Sequence, residues 1–222
     1  MIEIAIDGPA ASGKGALGKK LSDKYNFPYL DTGILYRKVA YELIKNNIKN
    51  SENLEILCCN FAKNLNLKEF KNKNLRTEDV AKLASKIAIF PNLRKILNNK
   101  QKEFSNFNKK QFGGCILDGR DIGTTILPNA DFKFFITASI EVRAKRRLLQ
   151  KNISFLHEND EKCMLQTLIN DMTERDRLDS NRKTSPLVPA KDAHVIDTTI
   201  INSQELLLIV INIIEGKNEL LK

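Results

Sequence analysis

Short apolar runs alternate with stretches whose apolar residues recur every three or four positions, and this alternation continues along most of the chain. Ile2-Glu3-Ile4-Ala5-Ile6-Asp7 predicts a short strand, then a loop of Gly, Ala and Ser, then a helix from about Lys14 with Leu17 and Leu21 on one face. Phe27 to Leu30 predicts a second strand. Asp31-Thr32-Gly33 offers capping residues for a helix carrying Leu35, Val39 and Leu43. From about Asn46 to Arg76 the chain is polar and weakly patterned. Thr77 is the expected cap of a helix with Glu78 and Asp79 in its first turn and Val80, Leu83, Ala84, Ile87 and Ala88 inside. Pro91 breaks that helix, and a basic helix follows to Phe104. Cys115 to Leu117 predicts a third strand ending at Asp118, and Phe132 to Ile136 a fourth. Ser139 caps an arginine-rich helix, Met164 to Met172 marks another, His194 to Ile196 is the fifth strand, and a terminal helix starts near Ser203. Strands separated by helices imply an α/β doubly wound fold, a parallel sheet with helices on both faces.

Composition narrows the classes. At 222 residues the chain can bury one sizeable core. The apolar run Leu206 to Ile214 is interrupted by Asn212 and falls short of the ~18 residues of a membrane span. Met1-Ile2-Glu3-Ile4 lacks the basic region and cleavage site of a signal peptide, so a cytoplasmic protein with no membrane partner is expected. Four cysteines without CxxC spacing and two histidines do not suggest a zinc site or a disulfide framework. The net charge of +9 fits either nucleic-acid binding or phosphate handling. Much of the excess lies in Asn/Lys-rich stretches, Asn60 to Asn74 and Asn98 to Lys110, which read as exposed segments. No nucleic-acid partner is therefore expected.

The candidate chemistry begins at the first loop. Gly8-Pro9-Ala10-Ala11-Ser12-Gly13-Lys14 matches GxxxxGK between a strand and a helix. Such a loop turns backbone N–H groups inward around a polyphosphate, the helix N-terminus adds partial positive charge, and the lysine reaches the outer phosphates. The hydroxyl that usually follows the lysine is missing, because Gly15 and Ala16 stand there. A metal would then rest on phosphates, water and a carboxylate, and no side chain is assigned as its ligand. There is no NKxD sequence of a GTPase. A second anion site is suggested by Thr32, Tyr36 and Arg37 within about one turn of a helix start, and by Asp118-Gly119-Arg120-Asp121 at the carboxyl end of a strand.

IAIDGPAASGKG, LDTGILYR, RTEDVAKLASKIA, LDGRDIGTTILPNAD, TERDRLDSNR and PLVPAKDAHVIDTT resemble the bacterial cytidylate kinases in order and spacing, over nearly the whole chain. The resemblance implies a five-stranded parallel P-loop core at about 1–31, 112–149 and 177–222. It also implies an inserted monophosphate-binding region at about 32–111 and a lid at about 150–176. ATP is implied as co-substrate with Mg2+, CMP or dCMP as acceptor, and a monomer. It further implies that Gly8 to Ala16 hold ATP, and that Lys14, Arg120, Arg143, Arg146 and Arg147 act on the transferred phosphoryl group. Tyr36, Arg37 and Arg120 would hold the acceptor phosphate, with Thr32 nearby in the CMP site; Ser85, Arg94, Asp121 and Arg182 would surround the cytosine; Arg175 and Asp179 would meet the sugar. The family usually has Thr where this chain has Ala16, and the stretch from Asn60 to Arg76 looks short and poor in strand pattern. Two rivals stay open: a kinase for AMP, UMP or a non-nucleotide acceptor, and a basic ATP-binding protein that has lost its kinase activity.

Overall fold

Ile4, Ala5 and Ile6 are all fully buried, so the first strand is covered on both faces and needs no polar face. The computed structural model describes residues 1–48, 52–66, 73–151, 153, 157–182 and 184–219. In it this strand, β1 (Ile2–Asp7), is the middle of a five-stranded parallel sheet ordered β2-β3-β1-β4-β5. The others are β2 (Tyr29–Asp31), β3 (Gly114–Gly119), β4 (Phe132–Thr137) and β5 (His194–Asp197). Ile6 pairs in register with Asp118 on one side and Phe134 on the other. The sheet order therefore reverses direction at β1, which puts the ligand crevice of an open α/β sheet at its carboxyl end.

The chain forms two compact units, Met1–Tyr29 with Asn108–Lys222, and Leu30–Phe107. In the first, α1 (Lys14–Tyr25) and α8 (Ser203–Glu219) pack Leu17, Leu21, Leu206 and Val210 against Ile4, Ile116 and Phe134 of the sheet. A smaller cluster joins α6 (Ile140–Leu149) to α7 (Glu158–Ser180) through Ala144, Leu148, Leu168 and Met172. In the second unit α2 (Gly33–Lys45), α3 (Leu54–Lys63), α4 (Glu78–Ile87) and the first part of α5 (Pro91–Phe112) share a core of Leu35, Val39, Leu43, Cys58, Ile87, Leu93 and Leu97. Among the described residues no helix is long and apolar enough to cross a membrane.

Several local expectations are corrected. The stretch from Asn46 to Arg76 contains a helix, α3, which buries Leu54, Cys58, Cys59 and Ala62; residues 49–51 and 67–72 of that stretch lie outside those described. Helix α5 runs to Phe112 instead of Phe104. The second strand is shifted to Tyr29–Asp31. Thr77 occupies the cap position of α4, but its hydroxyl donates to the Asn74 carbonyl and does not cap the helix. At α8 the cap is Asn202, whose side chain accepts from the Gln204 and Glu205 backbone N–H groups. Glu205 accepts from the Asn202 N–H in return, a reciprocal capping box. Ser139 caps α6 as expected, accepting from Val142 N–H at 3.4 Å.

Candidate functional site

The loop from Gly8 to Gly13 is shaped by backbone that ordinary residues resist. Gly8 (φ 144°) and Gly13 (φ 104°) have positive φ. Ala11 (φ 58°) does as well, a left-handed conformation that costs a residue with a Cβ about 1–2 kcal/mol. At Gly8 space also excludes a side chain, since a Cβ would stand 2.0 Å from the Ile136 carbonyl oxygen.

The loop's carbonyls are taken up one after another by cationic and hydroxyl donors. Arg120 Nη1 donates to Gly8 O at 2.9 Å, Lys14 Nζ to Pro9 O at 2.9 Å and Arg143 Nη1 to Ala10 O at 3.4 Å. Ser12 O accepts from Thr198 Oγ1 at 3.0 Å and from Arg146 Nη1 at 3.5 Å. Ser12 Oγ is fully buried with no hydrogen-bond partner among the described residues. Engagement of these four carbonyls holds the loop in the wrapped form that a phosphate cradle requires.

The expected arginines of α6 differ in setting. Arg143 is buried, donates from Nε to Ala138 O at 2.9 Å and pairs with Asp176 of α7 at 2.7 Å. Arg146 donates to both oxygens of Thr198, at 2.8 and 2.6 Å, and burial pulls its pKa below the ordinary guanidinium value against the nearby charge of Asp197. Arg147 reaches the side chain of Gln150 at 3.4 Å on the exposed flank.

A second constellation sits at the carboxyl end of β3. Asp179 of α7 is buried and faces Arg120 at 3.0 Å, Arg182 at 3.7 Å and Arg175 at 3.9 Å. Burial works to raise its pKa, but the charges of Arg120, Arg175 and Arg182 outweigh that, and the carboxyl is held below the usual range. Asp121 is also buried; its backbone oxygen accepts from Thr125 and Ile126 in the turn Ile122–Ile126.

Sequence reasoning passed over Asp7, Tyr29, Asp176 and Thr198. Asp7 ends β1 and accepts from the Ile122 and Gly123 N–H groups at 2.8 and 2.7 Å, tying the Asp118–Thr125 loop to the start of the phosphate loop. Burial pushes its carboxyl up to about 6, against those two hydrogen bonds. A lone carboxylate closing an apolar strand directly before GxxxxGK was the available signal. Tyr29 donates to Asp118 Oδ2 at 3.0 Å. In the other unit, Thr32 is buried at the start of α2, Tyr36 and Arg37 follow on that helix, and Arg37 donates to Leu75 O at 3.3 Å. Ser85 lies half-buried on α4, and Arg94 is buried and donates to Ala88 O at 3.3 Å, just past the last turn of that helix.

A parallel sheet with a glycine-rich anion loop at its central strand and guanidinium groups at the neighbouring strand ends is the frame of a P-loop kinase. The sequence profile of the cytidylate kinases matches residues 4–216. The cytidylate kinase of Methylocella silvestris is 40% identical over 219 residues, covering 99% of this chain and 96% of its own. That of Bartonella tribocorum is 41% identical over 196 residues, covering 88% and 86%. The chain belongs to the cytidylate kinase family. A crystal structure of an uncharacterized protein from Eubacterium ventriosum shares the fold with a TM-score of 0.51 at 17% identity, over 97% of this chain and 99% of that one.

Proposed function

We propose that this chain transfers the γ-phosphoryl group of ATP to CMP, giving CDP, and does the same for dCMP. One observation carries the reading. Arg120 bonds the Gly8 carbonyl of the phosphate loop and at the same time Asp179, which gathers Arg175 and Arg182, so donors for a second anion are tied to the donors for the first. In this reading Gly8 to Ala16 hold ATP, and Lys14 exchanges its bond to Pro9 O for the outer phosphates. Arg143, Arg146 and Arg147 add positive charge around the loop. Thr32, Tyr36, Arg37 and Arg120 hold the acceptor phosphate, Arg175 and Asp179 the sugar, and Ser85, Arg94, Asp121 and Arg182 the base. We read 32–111 as the monophosphate-binding insertion, 150–176 as the lid and the remainder as the core. A monomer suffices, because every assigned group lies on one chain.

No general base is required. The acceptor phosphate is ionised at neutral pH, so the residues contribute position and charge. Mg2+ fits this site. Asp118 presents a buried oxygen ligand at the carboxyl end of β3 near Gly15, and hard oxygen donors with phosphates and water are what Mg2+ prefers. Bound there, it would neutralise the ATP phosphates.

Cytosine offers an amino donor where uracil has a carbonyl, so the Asp121 side chain can accept from the first but meets another acceptor in the second. A coupled ADP-release assay across the ribo- and deoxyribonucleoside monophosphates is the test. CMP and dCMP are expected to be used well and UMP worse by several orders of magnitude in kcat/KM, up to about 10⁴-fold. Asp121→Asn should narrow that gap. Equal use of CMP and UMP by the wild type would refute the cytosine assignment.

A further inference from the structure

The residue after the lysine of a GxxxxGK loop usually brings a hydroxyl to the metal. Here it is Gly15, and the space beside it is filled from elsewhere. A Cβ on Gly15 would meet Tyr29 Oη at 3.5 Å and Asp118 Oδ2 at 3.6 Å, and that phenol donates to that same carboxylate oxygen at 3.0 Å. The ring's place is fixed by α1. At Gly18, one turn further on, a Cβ would stand 2.4 and 2.9 Å from ring carbons of Tyr29, so the ring lies where only a glycine admits it. Asp118 is 5% exposed, in register with Ile6 of β1, so its carboxylate has little freedom except about its own side-chain torsions.

We propose that Tyr29 is a positioning residue that replaces the missing hydroxyl. Delivered from β2 instead of the loop, its phenol orients the Asp118 carboxylate toward the metal of metal–ATP. The inference rests on the reading of the loop as the ATP site. A carboxylate has about four acceptor positions. The bond from the phenol fixes the orientation in which the carboxylate presents an oxygen to the metal. Outer partners of this kind are worth about 10–100-fold in metal affinity where they have been removed.

The test separates this role from simple packing, because Tyr29→Phe keeps the ring and removes only the hydroxyl. ATP affinity is measured by calorimetry on the full chain, once with Mg2+ and once with a chelator. Tyr29→Phe is expected to reduce the Mg2+-dependent gain in ATP affinity by about tenfold and to leave metal-free ATP binding unchanged. Adding Gly15→Ser to Tyr29→Phe should restore most of the gain, since a Cβ at residue 15 makes only ordinary contacts. A wild-type gain that Tyr29→Phe leaves intact overturns this inference alone. An equal loss with and without Mg2+ overturns it in favour of a packing role. No Mg2+-dependent gain in the wild type overturns it together with the ATP-site reading.

Discussion

Gly8→Ala is the sharpest structural test of the phosphate loop. Two costs arise from one methyl group. The φ of 144° lies in a region that residues with a Cβ rarely enter, worth about 1–3 kcal/mol. The methyl would also stand 2.0 Å from the Ile136 carbonyl oxygen, which is backbone of β4 and cannot rotate away. Relief requires β1 and β4 to part at the register Asp7–Phe135, and such overpacking costs about a further 1–3 kcal/mol. The sum, about 2–6 kcal/mol, is a large share of the roughly 5–15 kcal/mol that stabilises a typical protein. At about 2–4 °C per kcal/mol for a chain of this size, the melting temperature should fall by about 4–24 °C. Gly15→Ala is the matched control, because its Cβ would meet its nearest neighbours at 3.5 and 3.6 Å. Thermal unfolding followed by circular dichroism measures both. A Gly8→Ala protein that melts within 2 °C of the wild type would refute the reasoning.

Other outcomes follow from the same geometry. Lys14→Ala should lower kcat by about 10²-fold or more with the fold intact; near-normal turnover in the ADP-release assay would remove the lysine from the site. Ala16→Thr, on the exposed side of α1, should leave kcat unchanged or tighten ATP binding a few-fold, and a large loss would count against the loop reading. Asp7 carries a pH signature. Its folded pKa of about 6 lies above the ordinary 3.8, so the stability it contributes is fully present below about 4 and is lost as pH rises through 6. Relative to Asp7→Asn, urea unfolding of the wild type should lose about 1.4 kcal/mol between pH 5 and 7.5; a constant difference would show that Asp7 titrates normally.

The strands of the sheet were legible because each is a continuous apolar run, and burial on both faces demands that pattern. Ile4, Ala5, Ile6 and Cys115, Ile116, Leu117 are fully buried. Helix α3 was not legible, although Leu54, Cys58 and Ala62 recur at helical spacing. Its apolar face is narrow and partly built from cysteines, and the flanking Asn and Lys obscured the rest. The end of α5 was missed because Gln101, Ser105 and Asn108 are buried, so polar residues occupy its inward positions. The candidate site divides in the same way. Contiguous groups, such as Gly8 to Lys14, could be read directly. Asp7, Tyr29 and Thr198 gain their importance from the strand order β2-β3-β1-β4-β5, which brings the ends of β1, β3 and β5 and the first residue of β2 together. No local pattern encodes that order.

The acceptors around α6 explain why arginines of similar sequence setting have different jobs. Arg143, Arg146 and Arg147 share one helix, and charge alone would give them one role. At i, i+3 and i+4 they lie on one side of the helix, spread over about 100°, so each side chain reaches a different neighbour. Arg143 turns inward, where its charge is matched by Asp176 and its donors bind Ala138 O and Ala10 O. Arg146 joins Ser12 O to Thr198, and so couples the phosphate loop to the end of β5. Arg147 turns outward to Gln150. A lysine could neutralise charge in any of these places, but it lacks the planar fork that bridges two carbonyls or a carbonyl and a carboxylate. The requirement for arginine is therefore geometric at 143 and 146, where one side chain must satisfy several fixed acceptors. It is weakest at 147, where a single exposed amide accepts.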